Sequence, residues 1–220
     1  MKGFSIMIIG IDLGTTNSLV AYFTENGAKI IPNRLGKALT PSVVSIDEND
    51  RISVGETARE YGLIHPERVA QVFKRTMGTE QKYRLGNKEF LSEELSAFIL
   101  RALKEDAESF LGEKVDEAVI SVPAYFDEKR RKATKRAGEL AGLKIERIIS
   151  EPTAAAISYG LYEKKKNTRF LVFDLGGGTF DVSILELYGN ILEVRAVAGD
   201  NYLGGEDFTD ILETKFLEKK

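Results

Sequence analysis

The stretch from Phe170 to Leu187 constrains the fold more than any other. An apolar run ends at Asp174, Gly176, Gly177, Gly178 and Thr179 follow, and Asp181 leads into a second apolar, partly alternating run. Two such runs joined by glycines predict a β-hairpin. Its turn can gather bare backbone N–H groups into a concave nest, the geometry that binds phosphate, because glycine brings no Cβ into the way. Carboxylates beside that nest would repel an anion unless a cation stood between them. The combination points to a phosphate accompanied by Mg2+. The same figure occurs once earlier, where Ile8 to Asp12 runs into Gly14, Thr15, Thr16 and Asn17 and then an apolar run to Phe23. Two hairpins of one design predict a duplicated fold with nucleotide phosphates clamped between its halves.

A chain of 220 residues can bury a sizeable core. The formal net charge of −3 gives no electrostatic case for nucleic acid or an anionic membrane. Cysteine is absent, which excludes thiolate metal and catalytic sites and calls for no oxidising compartment. The apolar start, Phe4 to Ile11, is too short for a membrane span and reads as a buried strand rather than a signal peptide. A cytoplasmic protein is expected.

Strands are predicted at 6–13, 17–24 and 28–31 as a meander, at 42–46 and 52–55, at 115–122, at 145–149, in the organising hairpin, and at 191–197. A small hairpin turning at Gly86-Asn87 is predicted over 82–90. Short helices are predicted at 56–61 and 70–77. Ser92 opens a long amphipathic helix with Leu95, Phe98, Ile99, Ala102 and Leu103 on one face, and Gly112 ends it. Asp127 caps a basic helix to Ala141 that Gly142 stops, Glu151-Pro152 starts a helix over 153–161, and Gly204-Gly205 precedes a last helix over 207–219. A charged connection occupies 163–168. The order βββ…βαβα followed by βββα is a repeated α/β unit whose second copy is cut short, with residues 36–110 inserted in the first.

Five ordered motifs then carry a resemblance. They are Ile9 to Ser18, Val122-Pro123-Ala-Tyr-Phe126, Glu151-Pro-Thr-Ala-Ala-Ala156, Asp174-Leu-Gly-Gly-Gly-Thr-Phe-Asp181 and Gly199-Asp-Asn-Tyr-Leu-Gly-Gly-Glu-Asp-Phe208. Over nearly its whole length the chain resembles the nucleotide-binding domain of the seventy-kilodalton heat-shock chaperones of the DnaK type. The trimmed stretch 78–92 and Phe73-Lys74-Arg75-Thr76-Met77-Gly78 are similar to the HscC branch. The resemblance implies the actin-like ATPase fold, built on ribonuclease-H-like lobes: lobe I complete over 1–168 with the inserted subdomain 36–110, and lobe II begun but truncated over 169–220. It implies slow ATP hydrolysis that controls peptide binding by an absent carboxyl-terminal domain. The cofactors are ATP or ADP with Mg2+, and K+ as a second cation. The partners are unfolded peptides, a J-domain co-chaperone and a nucleotide-exchange factor. By itself the chain is expected to hold nucleotide poorly and to bind no client peptide.

The resemblance also assigns roles. Asp12 and Asp174 hold Mg2+ largely through water, and Asp181 helps bind a nearby cation. Gly14, Thr15, Thr16 and Asn17 from one lobe, and Gly176, Gly177 and Gly178 from the other, donate to the phosphates. The Thr179 hydroxyl faces the γ-phosphate, with Gly204 and Gly205 as loop glycines or a phosphate-side hinge. Lys74 offsets charge in phosphoryl transfer, and Glu151 orients the attacking water or acts through it as a base. Pro123 and Arg131 match an interdomain relay.

Each residue also has a plainer reading. Asp12 and Asn17 are ordinary turn formers, Lys74 beside Arg75 an ordinary solvated charge, Glu151 an acid favoured by a helix dipole, and Pro123 a strand terminator. Basic residues 129–136 read as a solvated helix face, and His65 carries no assigned chemistry. A small-molecule kinase or a filament-forming protein on the same scaffold, and an inert lobe, are the competing classes.

Overall fold

The computed structural model describes residues 7–161, 167–189 and 191–218. Most of the expected charged connection, and the outermost residues of the first strand and last helix, lie outside them. Packing divides the chain into two compact units, Met1–Ser121 with Asp127–Ile148, and Val122–Phe126 with Ile149–Lys220. The fold is mixed α/β.

The first unit begins as the spacing predicts, with β1 (Ile8–Asp12), β2 (Asn17–Thr24) and β3 (Gly27–Ile31). The second turn closes at Gly27, whose φ of 100° only glycine adopts freely. Short strands β4 (Thr40–Pro41), β5 (Val44–Ile46) and β6 (Ile52–Val54) follow, then helix α1 (Glu56–Gly62). Strand β7 (Val69–Ala70) pairs with β5, and a 3-10 turn over Phe73–Thr76 comes next.

The short helix expected over 70–77 is therefore reduced to this single 3-10 turn, with Ala70 in a strand instead. Val72 stands in left-handed backbone at φ 59°, and a β-branched residue there breaks any helix before it can propagate. The turn is fixed from outside. The Thr76 hydroxyl bonds the Phe73 carbonyl at 3.0 Å, Ser92 Oγ at 2.6 Å and Tyr83 Oη at 2.8 Å.

The hairpin β8 (Lys82–Leu85) and β9 (Lys88–Leu91) leads into α2 (Ser92–Leu111). Glu94 accepts from the Leu91 amide at 2.7 Å, and Gly112, at φ 72°, terminates the helix. Its buried face carries Leu95, Ile99, Leu100, Leu103 and Ala107. Then come β10 (Glu117–Val122), α3 (Glu128–Leu140) and β11 (Lys144–Ser150). Asp127 caps α3, accepting the Arg130 amide at 2.8 Å.

The main sheet runs β11-β10-β1-β2-β3, with β4 on β2. Strand β1 is parallel to β10, with Asp12 opposite Ser121, and antiparallel to β2. Ile9, Ile11, Val20, Ala118, Ile120 and Val122 fill its core, and α2 packs on α3.

The second unit holds α4 (Glu151–Ser158), the antiparallel sheet β12 (Thr168–Leu175), β13 (Phe180–Tyr188) and β14 (Ile191–Asp200), and α5 (Gly205–Leu217). On this sheet Arg195, and after it Arg169, donate to Glu186 and hold its carboxyl below the usual carboxylate range. Among the described residues no helix is long and apolar enough to cross a membrane.

Candidate phosphate and metal site

In the first unit the candidate residues gather on the β1–β2 turn. Asp12 ends β1, and Ser121 Oγ donates to Asp12 Oδ1 at 3.1 Å, so its parallel neighbour strand sets its carboxylate. A Cβ on Gly14 would fall on the Asn17 carbonyl oxygen, so only glycine fits. Thr15 is buried.

Ser42 organises this turn from beneath. Its hydroxyl donates to the Gly14 carbonyl at 2.7 Å, its amide donates to the Thr16 carbonyl at 2.8 Å, and its oxygen lies 2.9 Å from Ser18 Oγ. In a planar trans peptide the N–H points opposite to the C=O. With the Gly14 and Thr16 carbonyls aimed at Ser42, the Thr15 and Asn17 N–H groups point away from it. Ser42 and Ser18 are almost wholly buried, so Ser42→Ala leaves unmet acceptors inside the unit. It is expected to lower unfolding free energy by about 1–3 kcal/mol in a denaturant titration.

The second unit repeats the device with different parts. The β12–β13 turn is closed by Gly176 N–H donating to the Thr179 carbonyl at 2.9 Å. Gly205 N–H donates to the Gly176 carbonyl at 3.0 Å and Glu206 N–H to the Gly177 carbonyl at 2.9 Å. The first turn of α5 thus spends its free donors on consecutive loop carbonyls. By the same peptide geometry, the Gly177 and Gly178 N–H groups both point away from α5, which is the arrangement of an anion nest.

Gly204 and Gly205 buttress the loop from below. Gly204 N–H is taken by Asp207 Oδ2 at 2.7 Å. A Cβ on Gly204 would sit 2.5 Å from the Gly177 carbonyl and the Gly178 nitrogen, although its backbone is extended and unstrained. Gly204→Ala is expected to displace the loop, costing about 1–3 kcal/mol and lowering Tm by several degrees in a thermal melt, because backbone cannot move aside as a flexible side chain can.

Asp174 and Asp181 are direct cross-strand partners, so their carboxylates share one face of the hairpin. Asp181 is buried, and the Tyr125 amide donates to its Oδ1 at 3.2 Å. That amide is presented by a turn in which Phe126 N–H bonds the Pro123 carbonyl at 3.1 Å. Like charges directly opposite are unfavourable without a cation, which fits the donor set to Mg2+. Among the described residues no three His, Cys, Asp or Glu converge into a direct metal cage. One or two carboxylates with retained waters is the way Mg2+ is ordinarily held. Thr179 is buried beside this pair.

The remaining candidates stand apart. Lys74 lies on the 3-10 turn of the first unit at 4% exposure, not the solvated charge its neighbours in sequence would suggest. Glu151 is the first residue of α4, half-buried, and Ser150 Oγ lies 2.6 Å from Thr153 Oγ1 at that helix start. Pro123 is buried in the second unit and Arg131 half-buried on α3 of the first.

Sequence reasoning missed Ser42, Ser121 and the Tyr125 amide. The only signal was indirect, since Tyr125 falls inside the Val122–Phe126 motif and Ser42 opens the strand expected over 42–46.

Comparison with known proteins places these loops in context. The family model described as Hsp70 protein matches residues 8–220. Chaperone protein DnaK of Thermotoga neapolitana is 52% identical over 202 residues, covering 91% of this chain and 34% of the relative. The proteins of that name from Thermotoga petrophila and Thermotoga maritima match to the same extent. The chain spans about a third of the length of these curated relatives.

Proposed function

The chain belongs to the Hsp70 protein family, and from that premise we propose that it is the amino-terminal part of a DnaK-type ATPase domain that binds Mg-ATP or Mg-ADP and hydrolyses ATP. The observation that carries this reading is the β12–β13 loop, whose consecutive carbonyls are held by α5 so that Gly177 and Gly178 present their N–H groups together, next to the Asp174–Asp181 pair. The Ser42-held turn over Gly14, Thr15, Thr16 and Asn17 supports it independently.

In this proposal Asp12 and Asp174 would hold Mg2+, and Asp181 would help bind a second cation, K+. The metal supplies charge neutralisation on the phosphates. Gly14, Thr15, Thr16 and Asn17 in one lobe and Gly176, Gly177 and Gly178 in the other donate to phosphate oxygens, and Gly204 and Gly205 keep the second loop in shape. The Thr179 hydroxyl faces the γ-phosphate. Lys74 brings positive charge to the transferring group, and Glu151 orients the attacking water or acts through it as a base.

The lobes are those of the actin-like fold, 1–168 with the subdomain 36–110, and the start of the second at 169–220. Pro123 and Arg131 relay nucleotide state to a peptide-binding domain elsewhere in the protein. Unfolded peptides, a J-domain co-chaperone and a nucleotide-exchange factor are the partners, and the cytoplasm is the compartment. Placement in the HscC branch rests on Phe73 to Gly78 and the compact 78–92 segment.

Titration calorimetry of the 220-residue chain with Mg-ADP, with and without EDTA, tests the binding. Weak, metal-dependent uptake is expected; nucleotide binding indifferent to metal would overturn the roles of the aspartates.

A further inference from the structure

In the first unit the Gly14–Asn17 turn and Lys74 come from distant parts of the sequence, and one short segment joins them. Its first end is β4, which lies along β2 with Thr40 opposite Ser18 and Pro41 opposite Asn17. Its other end is β5, the central strand of the sheet β6-β5-β7. There Val44 pairs with Ala70 and Ser45 with Val69, and Lys74 follows Ala70 by four residues. Only Ser42 and Val43 stand between the two ends. The Val43 carbonyl is taken by the Gly55 amide at 3.0 Å, so this junction is pinned through its backbone as well. Ser42, Val43, Val44, Ala70 and Lys74 are each at most 5% exposed. An interior so closely packed transmits a displacement at one end to the other.

Ser42 makes the decisive contacts. With its own hydrogen on the Gly14 carbonyl, its oxygen accepts from Ser18, so the two hydroxyls form one ordered chain that ends on the turn. Its amide takes the Thr16 carbonyl. The Gly14 carbonyl shares a peptide plane with the Thr15 N–H, and the Thr16 carbonyl shares one with the Asn17 N–H. One residue therefore fixes both planes whose donors face the other way. The same residue is two positions from the strand that pairs with β7, which leads into the Lys74 turn.

We propose that Ser42 is a positioning residue for phosphoryl transfer. It holds the Thr15 and Asn17 N–H groups as one pair and, through β5 and β7, keeps that pair in a fixed place relative to Lys74. This role rests on the reading of the turn and Lys74 as nucleotide contacts, and adds the residue that ties them together.

The test uses the full-length protein. In calorimetric titrations Ser42→Ala is expected to raise the Mg-ADP Kd about fivefold or more, by freeing the Gly14–Thr15 peptide. Ser42→Cys, close in size and a weaker donor, should shift Kd in the same direction if the alanine variant does not fold. Ser18→Ala removes a buried hydroxyl of the same pair but leaves both Ser42 donors in place. It should lower Tm to a like extent while changing Kd less than about twofold. In single-turnover hydrolysis of radiolabelled ATP, Ser42→Ala should cost about tenfold or more beside Lys74, and less than about threefold in the Lys74→Ala background. A wild-type protein that does not bind Mg-ADP overturns the nucleotide reading and this role with it. If the wild type binds, equal Kd shifts in the Ser42 and Ser18 variants reduce Ser42 to a structural residue, and rate losses that simply multiply sever its link to Lys74.

Discussion

Lys74→Ala in the full-length protein is expected to slow single-turnover ATP hydrolysis by about two to three orders of magnitude, the usual effect of removing one charge-stabilising donor from a transition state. Nucleotide affinity should change little beside that loss, while Tm should fall, because the truncated side chain is buried. The expectation comes from where the residue sits. A lysine on a short turn next to an arginine would normally extend into water, and truncating it would shift stability by no more than about 0.5 kcal/mol with no effect on chemistry. Lys74 instead is 4% exposed, in a 3-10 turn that starts from left-handed Val72 at φ 59°. A β-branched residue in that conformation costs roughly 1–3 kcal/mol and persists only where the surroundings enforce it. Here Phe73 is buried edge-on to Tyr83, and Thr76 is bonded to Ser92, Tyr83 and the Phe73 carbonyl. A strained turn so firmly tied down, carrying a buried cation, is what positioning for chemistry requires. Single-turnover rates measured with protein in excess read the chemical step separately from binding. A mutant that keeps the wild-type rate would remove Lys74 from the mechanism.

The parts of this molecule that were legible in the sequence are those written in local chemistry. The stop at Gly112 and the cap at Asp127 both fall where a single residue's backbone preference or side-chain acceptor decides the outcome. Both glycine turns were legible for the same reason. The 70–77 segment was not, because Ala70, Phe73 and Met77 repeat at helical spacing while Ala70 is paired with Val44 in a sheet and Thr76 is held by Tyr83 and Ser92 from later in the chain. The supports of the site were hidden for a related reason. Ser42 meets Gly14, Tyr125 meets Asp181 and Ser121 meets Asp12 across 28, 56 and 109 residues of sequence, and no local pattern encodes such a meeting. Glycines at 204 and 205 could be read as loop formers, but their close backing of the Gly177 peptide is a property of packing alone.

Asp174→Asn is expected to move stability and affinity in opposite directions. Asp174 and Asp181 are cross-strand partners on one face, and Asp181 is buried with the Tyr125 amide on its Oδ1. Like charges directly opposite each other on a sheet are unfavourable by roughly 0.2–1 kcal/mol. In metal-free buffer the near-isosteric asparagine removes that repulsion, so Tm should stay level or rise by about 1–3 °C. The Mg-nucleotide Kd should rise about 10–100-fold, the scale on which metal affinity responds to loss of a group that orders its hydration shell. With EDTA present the two proteins should bind nucleotide alike, since the nest N–H groups of Gly177 and Gly178 are untouched. A carboxylate kept only to build the hairpin would behave otherwise. Its loss would lower Tm in metal-free buffer and leave the metal dependence of binding where it was. The sign of the Tm change, measured beside calorimetric titrations with and without Mg2+, separates the two, because a site built for a cation is at its least stable when the cation is away.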